Sequence, residues 1–400
     1  MAARALGQVP ALVLRLGSAQ DHWVALRALL WAFGPEPDAA RFGYFTSICY
    51  DTGRLIESIP ARLVSDERPL ITLGLFQAHV VVPRSGPASV SIRQFPGVPR
   101  LQFDSVVALL AEPAAGVDAP PCGAPHVHFT MGRQDYLEAA TQALEHIRAG
   151  DIYQVQLGHE IQVRSSIAPA ALYARLRLEN PSPYMFLCHV GGVDMIGASP
   201  ESYVQLADAC IAMRPIAGTV AKGNGPERQA QRDRLVASAK ENAEHVMLVD
   251  LCRNDIGRVC SDGSLQVPEL MGVGEFPNLF HLISTVTGRL RPGKDVVDLI
   301  RATFPAGTMV GAPKVRAMEI IEALELSRRG GYAGGIGLLG FGNFANLALC
   351  IRMATRDDDT YRLRASAGIV VDSNPMSEWN ETLVKMSRIY KALTGEELVA

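Results

Sequence analysis

The chain has 400 residues and seven cysteines, yet no CxxC pair, no internal repeat, no low-complexity tract and no excess of basic charge. Each absence excludes something. With 38 Lys+Arg against 41 Asp+Glu and a formal charge of -3, nothing draws the chain to a phosphate backbone, so no nucleic-acid partner is expected. No stretch reaches the ~20 apolar residues that a membrane-spanning helix needs, so no membrane role is expected either. Cys49, Cys122, Cys188, Cys210, Cys252, Cys260 and Cys350 are scattered and odd in number. That usage predicts free thiols in a reducing compartment, hence a cytoplasmic protein. The start, "MAARALGQVPALVLRLG", carries two arginines and no acid, but Gln8, Pro10 and Arg15 interrupt its apolar run. It reads as a first strand rather than a targeting peptide. "FPAGTMVGAPK" lacks the G-K-[ST] ending of a phosphate loop, and the glycine-rich "RRGGYAGGIGLLGFG" leads into strand-like "NLALCIRMAT" instead of a helix. ATP and dinucleotides are therefore not indicated.

What is present is an ordinary globular composition, 48% hydrophobic and 20% charged, in a chain longer than single cores usually grow. "AEPAAGVDAPPCGAP" concentrates Pro, Gly and Ala, which places a linker at 113–125 between an N-terminal part (1–112) and a second part (126–400). In the second part Tyr136, Ala140, Ala143 and Ile147 recur at helical spacing before Gly150. "DIYQVQLGHEIQV", "GVDMIGASPESYVQL" and "RLRASAGIVVD" alternate as strands do. Helical windows cover 227–256, 295–304, 313–326 and 377–394. Strands and helices follow one another without a regular βαβ rhythm, which predicts an α+β fold with mainly antiparallel sheets.

Two helical stretches carry the chemistry. In "KENAEHVMLVDL", Glu241 and Glu244 stand one turn apart beside Val246, Met247, Val249 and Leu251, which read as core. In "SEWNETLVK", Glu378 and Glu381 repeat that spacing. A single E-x-x-E is an ordinary surface feature. Four carboxylates bordering one pocket would repel one another unless a cation compensated them, and oxygen ligands of this hardness favour Mg²⁺, whose octahedron an anionic substrate often completes. Spacing alone does not say whether the two helices meet. "HVHF" puts His126 and His128 on one strand face with no third ligand, so core packing is the expectation there.

Taken in order, "DIYQV", "NPSPYMFL", "GASPE", "RPIAGT", "KENAEHVMLVDLCRND", "HLISTV", "TFPAGTMVGAPKVRAMEII", "GGYAGGIG", "IRMAT", "AGIVVDS" and "EWNETLVK" resemble the chorismate-utilising enzymes over Tyr136 to Tyr390. That family comprises anthranilate synthase component I, aminodeoxychorismate synthase component I, and isochorismate and salicylate synthases; the chain is most similar to anthranilate synthase component I. "GYFTSICYDTGRLIESIP" extends a weaker match into the N-terminal part. The resemblance implies two facing antiparallel sheets ringed by helices, with the active site between them. It implies one Mg²⁺ held by Glu241, Glu244, Glu378 and Glu381, with Glu244 and Glu381 as direct ligands, gripping the ring carboxylate of chorismate. It also implies Glu201 as the general acid for the departing 4-hydroxyl and His281 as an aid to aromatisation. Gly218 and Thr219 would line the ring-carboxylate pocket, and Tyr332, Arg352, Gly368 and Lys385 would serve the substrate's carboxylates. Ser366 departs from the family's "AGAGI" and stands at a ligand-near glycine position.

Two positions separate the family's reactions. Relatives that use water have a lysine where this chain has Gln154, so ammonia is the expected nucleophile. Relatives that aminate C4 have a lysine where this chain has Ala217, so direct attack at C2 is expected, followed by pyruvate loss to anthranilate. Amination that stops before pyruvate loss, 4-amino-4-deoxychorismate synthesis, and a non-catalytic binding subunit are the alternatives. The tryptophan-sensing "LLES" is absent; "RLIES" belongs to another segment. No cysteine sits in a G-x-C-x-G elbow, so a separate glutamine amidotransferase subunit is implied as the ammonia source.

Overall fold

The computed structural model describes residues 19–32, 43–63, 68–83, 85–94, 99–111, 126–223, 225–275 and 279–398. The strand expected at the N-terminus and the 113–125 linker lie outside them. The alternating segments form strands. In Gln154–Arg164, Val155, Leu157, Ile161 and Val163 are each at 0% exposure on one face, and the period of two puts Gln154 and Gln156 on the other.

Two large sheets result, antiparallel throughout. In the first, nine-stranded among the described residues, the order is Ile216–Ala221, Leu279–Arg289, Cys210–Met213, Ser202–Ala207, Phe344–Leu349, Gly335–Gly340, Gly43–Ile48 and Ile71–Leu75, with Gln266–Glu275 also paired to Leu279–Arg289. In the second, seven-stranded, the order is Gly311–Ala312, Gln154–Arg164, Thr360–Ile369, Met353–Asp357, Val193–Ser199 and Tyr184–Val190, with His126–Phe129 also on Gln154–Arg164. The N-terminal strand Gly43–Ile48 is thus laddered between Gly335–Gly340 and Ile71–Leu75. The sheets face each other. Ile336, Ala348 and Phe45 of the first share an apolar cluster with Phe186, Met195 and Met353 of the second. Burying each large side chain of that kind stabilises by roughly 1.5–3 kcal/mol.

At two adjacent places a strand of one sheet runs almost directly into a strand of the other. Residues 200–201 join Val193–Ser199 to Ser202–Ala207, and residues 350–352 join Phe344–Leu349 to Met353–Asp357. The crossings are stitched together, with Leu349 N donating to Glu201 O (3.0 Å) and Ala198 N to Arg352 O (3.0 Å).

A buried ionic clasp is built on the second sheet. Glu325, 1% exposed, accepts from Arg329 (2.8 Å), Arg364 (2.6 Å) and the Gly158 N–H (2.8 Å). Burial alone would raise this carboxyl's pKa, but the two guanidiniums hold it below the ordinary carboxylate value. Arg329 also donates to Met309 O and Gln156 O, so it fixes the strand that carries Gln154 and Gln156.

Three expectations need correcting. The helical window 227–256 is two helices, Pro226–Ala237 and Ala239–Gly257, because Ser238 leaves helical geometry and its hydroxyl caps the second by accepting from Glu241 N. Val246 is 42% exposed; the buried place on that helix goes to His245, bonded to Ser284 Oγ at 2.6 Å. His126 and His128 are exposed, since their strand lies at the sheet margin with one face to solvent.

Replacing Glu325 by Gln leaves two buried guanidiniums without a counter-charge. It is expected to lower stability by about 3–5 kcal/mol in urea unfolding.

Candidate active site

The acids of the two helices feel one another's charges. Asn374 caps Pro375–Thr394 through Ser377 N, with Pro375 and Glu378 in the first turn and Glu381 one turn on. Burial first, then the charges of Glu241 and Glu381, raise the pKa of Glu244, while Lys385 and Lys240 oppose the rise. Burial also raises Glu378, with Ser373 and the same two lysines pulling down and Glu381 pushing up. Lys385 Nζ lies 2.6 Å from Glu381 Oε1. The four carboxylates and two ammonium groups thus form one electrostatic cluster.

The first sheet supplies the next wall. Between Ala217 and Thr219 the pairing to Leu279–Arg289 slips, and Gly218 bulges with φ +63°. The bulge turns the Gly218 carbonyl to His281, whose Nδ1 donates to it at 3.0 Å. That bond fixes the tautomer, leaving Nε2 as the unprotonated nitrogen of the neutral ring. Burial and nearby Arg352 hold the His281 pKa below its usual value, so the ring is neutral at pH 7. Thr219 pairs with His281 in register, and Ala217 packs against Leu248, Leu251 and Ala312.

The crossings supply Glu201 and Arg352. Burial pushes the Glu201 carboxyl up to about 8, against the pull of Lys385 and the Ile216 N–H. Arg352 has φ +50°, a conformation that costs a non-glycine residue of order 1–3 kcal/mol. It donates to Lys385 O at 3.2 Å, and desolvation lowers its pKa.

The second sheet closes the cleft. Gln154, 1% exposed, has no hydrogen-bond partner for either amide atom. Ser366 bonds Tyr332 OH (2.8 Å) and Gln156 Oε1 (3.1 Å), and its carbonyl accepts from Lys385 Nζ (2.9 Å). A Cβ on Gly368 would fall 2.7 Å from Gln154 Nε2, 3.1 Å from Gln156 Nε2 and 3.6 Å from Glu244 Oε1, so only glycine keeps that space open.

This cleft has known counterparts. The family profile described as chorismate binding enzyme matches residues 14–391. The chain belongs to the chorismate-binding enzyme family. A 2-amino-4-deoxychorismate synthase of Streptomyces globisporus is 46% identical over 396 residues, covering 96% of this chain and 80% of that protein. Anthranilate synthase component 1 of Haloferax volcanii is 44% identical over 301 residues, covering 73% of this chain; the match spans 57% of that longer relative. The crystal structure of anthranilate synthase component I from Streptococcus pneumoniae TIGR4 superposes with a TM-score of 0.78 at 30% identity, covering 91% of this chain and 85% of that one.

The Mg²⁺ expected from the resemblance can be set against these acids. Among the described residues no three His, Cys, Asp or Glu side chains are placed to enclose a metal ion by themselves. The donor set nevertheless fits Mg²⁺, which takes one or two carboxylates and completes its shell with water and substrate oxygens. A cluster with two raised carboxyls and lysines as interim counter-charges suits such an ion. Lys240, Ser373 and Gln156 in this enzyme were not singled out from the sequence, although Gln156 shares the face of Gln154 by simple alternation and Lys240 adjoins Glu241.

Gly218→Ala would place a methyl 3.1 Å from Glu241 Oε2 and 3.0 Å from Leu235 Cδ1 at a positive φ. The expected result is a stability loss of about 1–2 kcal/mol in thermal unfolding. Losing the carbonyl contact should also lower the His281 pKa further, read by NMR titration of the ring.

Proposed function

We propose that this chorismate-binding enzyme aminates chorismate at C2 with loss of the 4-hydroxyl. The observation that carries the reading is Glu201, a buried carboxyl with a pKa of about 8 in a cleft that also holds the cations Arg352 and Lys385 and the amides of Gln154 and Gln156. Such a group is protonated near neutral pH and suits a leaving hydroxide that needs a proton. Ammonia forms the C2–N bond, the two ring double bonds shift, and the C4–O bond breaks as Glu201 delivers its proton and water departs. Gln154, an amide, cannot act as a base toward water. Ala217, packed against apolar neighbours, offers no lysine to intercept C2. Glu241, Glu244, Glu378 and Glu381 would hold Mg²⁺, with Glu244 and Glu381 as direct ligands; the ion would supply a positive anchor for the ring carboxylate. Gly218 and Thr219 would line that carboxylate's pocket. Arg352, Lys385, Tyr332, Ser366 and Gly368 would serve the enolpyruvyl side.

For the second stage the first reading is elimination. Neutral His281 removes the C2 proton, the C3–O bond breaks, and pyruvate leaves to give anthranilate. A second reading, release of the aminated product with its enolpyruvyl group retained, is supported by the Streptomyces globisporus relative, whose name matches such a product and whose match covers 96% of this chain. In either case ammonia would come from a separate glutamine amidotransferase subunit, with the enzyme in the cytoplasm.

Purified chain given chorismate, Mg²⁺ and ammonium chloride is expected to form a C2-aminated product by mass-resolved analysis. Anthranilate with pyruvate supports elimination, a product retaining the enolpyruvyl group supports early release, and 4-amino-4-deoxychorismate would sink the C2 assignment. Glu201→Gln should reduce kcat by about 10²-fold or more. The wild-type rate should fall as pH rises through about 8, because the acid is then ionised. Removing Mg²⁺ with a chelator, or Glu381→Gln, should abolish turnover, and activity that survived chelation would count against the metal.

A further inference from the structure

Tyr332, Ser366 and Gln156 form a chain whose proton order can be read from its geometry. Ser366 Oγ donates to Gln156 Oε1 at 3.1 Å and lies 2.8 Å from Tyr332 OH. A serine hydroxyl has one proton, so the bond with Tyr332 must be donated by the phenol. Tyr332 thereby commits its only proton within the protein, and its capacity to donate passes through Ser366 to the Gln156 amide. With the Gln156 carbonyl held by Ser366, its –NH₂ is turned toward Gly368, which pairs with Gln156 directly across the ladder.

A second amide converges on the same space. Gln154 Nε2 stands 2.7 Å from the point a Gly368 Cβ would occupy, and Gln156 Nε2 stands 3.1 Å from it. Gln154 is buried with both amide atoms unpartnered, a state that costs about 1–3 kcal/mol unless a ligand relieves it. Two –NH₂ groups cannot satisfy each other. Their shared partner must be an acceptor; Glu244 Oε1 stands 3.6 Å from the same point but does not accept from Gln154, whereas a substrate carboxylate has two oxygens to offer the two amides.

We propose that Gln156, held in place by the Tyr332–Ser366 relay, is a specificity-determining residue that with Gln154 binds the enolpyruvyl carboxylate of the substrate above Gly368. This rests on the reading that chorismate occupies the cleft. Ser366 then stands in the place of a glycine in order to redirect a donor, and Gln156 does the gripping.

The test is calorimetric binding of chorismate to the full chain with Mg²⁺ and without ammonia, for wild type, Gln156→Leu, Ser366→Ala and the double variant. 3-Hydroxybenzoate, a ring acid lacking the enolpyruvyl arm, is the comparison ligand. Each single variant is expected to weaken chorismate binding about tenfold, the double no more than either single, and neither to weaken 3-hydroxybenzoate. In steady state the loss should fall on KM more than on kcat. Circular dichroism checks folding; if Gln156→Leu fails to fold, Ser366→Ala still breaks the relay while leaving the amide in place. Chorismate binding unchanged in folded variants, or an equal loss for the ring acid, would overturn the assignment. A wild type that binds chorismate but aminates another carbon would overturn the proposed reaction and leave this inference standing; one that binds no chorismate would overturn both.

Discussion

The carboxylate of Glu325 holds together the wall on which the rest of the cleft is built. It takes one N–H from the strand 154–164, one guanidinium from the strand 360–369, and a second from the segment that leads to Tyr332. Three elements distant in the chain are registered against a single buried charge. Such an ion is weak evidence of added stability, because its own desolvation is costly, but it tolerates little displacement. Gln154, Gln156, Tyr332, Ser366 and Gly368 all stand on elements so registered.

Against that wall the opposite side of the cleft is assembled from local devices. A serine cap starts one acidic helix, an asparagine cap with a following proline starts the other, and a glycine bulge turns a carbonyl onto His281. Each is a short-range decision of the backbone. Beside Glu201, their common effect is to bring acids, an imidazole and two ammonium groups into one partly desolvated volume, where Glu201, Glu244 and Glu378 are raised and His281 is lowered. Opposite shifts in neighbouring groups provide an acid and a base that coexist at one pH.

Much of this was legible in the sequence because it rested on local pattern. Period-two alternation located the strand bearing Gln154, and helical spacing located both E-x-x-E pairs. The ordered motifs identified the family, which the profile match and the Streptococcus pneumoniae structure bear out along with the facing antiparallel sheets. What escaped depended on contacts between distant segments. The coupling of the acids on the two helices, the bonds from Gly158 and Arg364 to Glu325 and the relay from Tyr332 to Gln156 join residues 34 to more than 200 positions apart, and no window of sequence contains both ends. The break at Ser238 was missed for a different reason. Its flanks are both strongly helical, and a single capping hydroxyl outweighed them. Val246 was misplaced because apolar character alone does not say which face of a helix is covered, and fully buried His245 took the position by bonding Ser284.

The paired crossings between the sheets have a mechanical consequence. Glu201 and Arg352 ride on neighbouring spans tied to each other by backbone hydrogen bonds, whereas the acidic helices are carried elsewhere. Any breathing of one sheet against the other would carry the acid and the guanidinium as a single lever and change their reach to the helical carboxylates, not their distance from each other. The spacing between the Glu201 carboxyl and the Arg352 guanidinium is therefore the stiff dimension of this cleft, and its depth toward the helical acids is the compliant one.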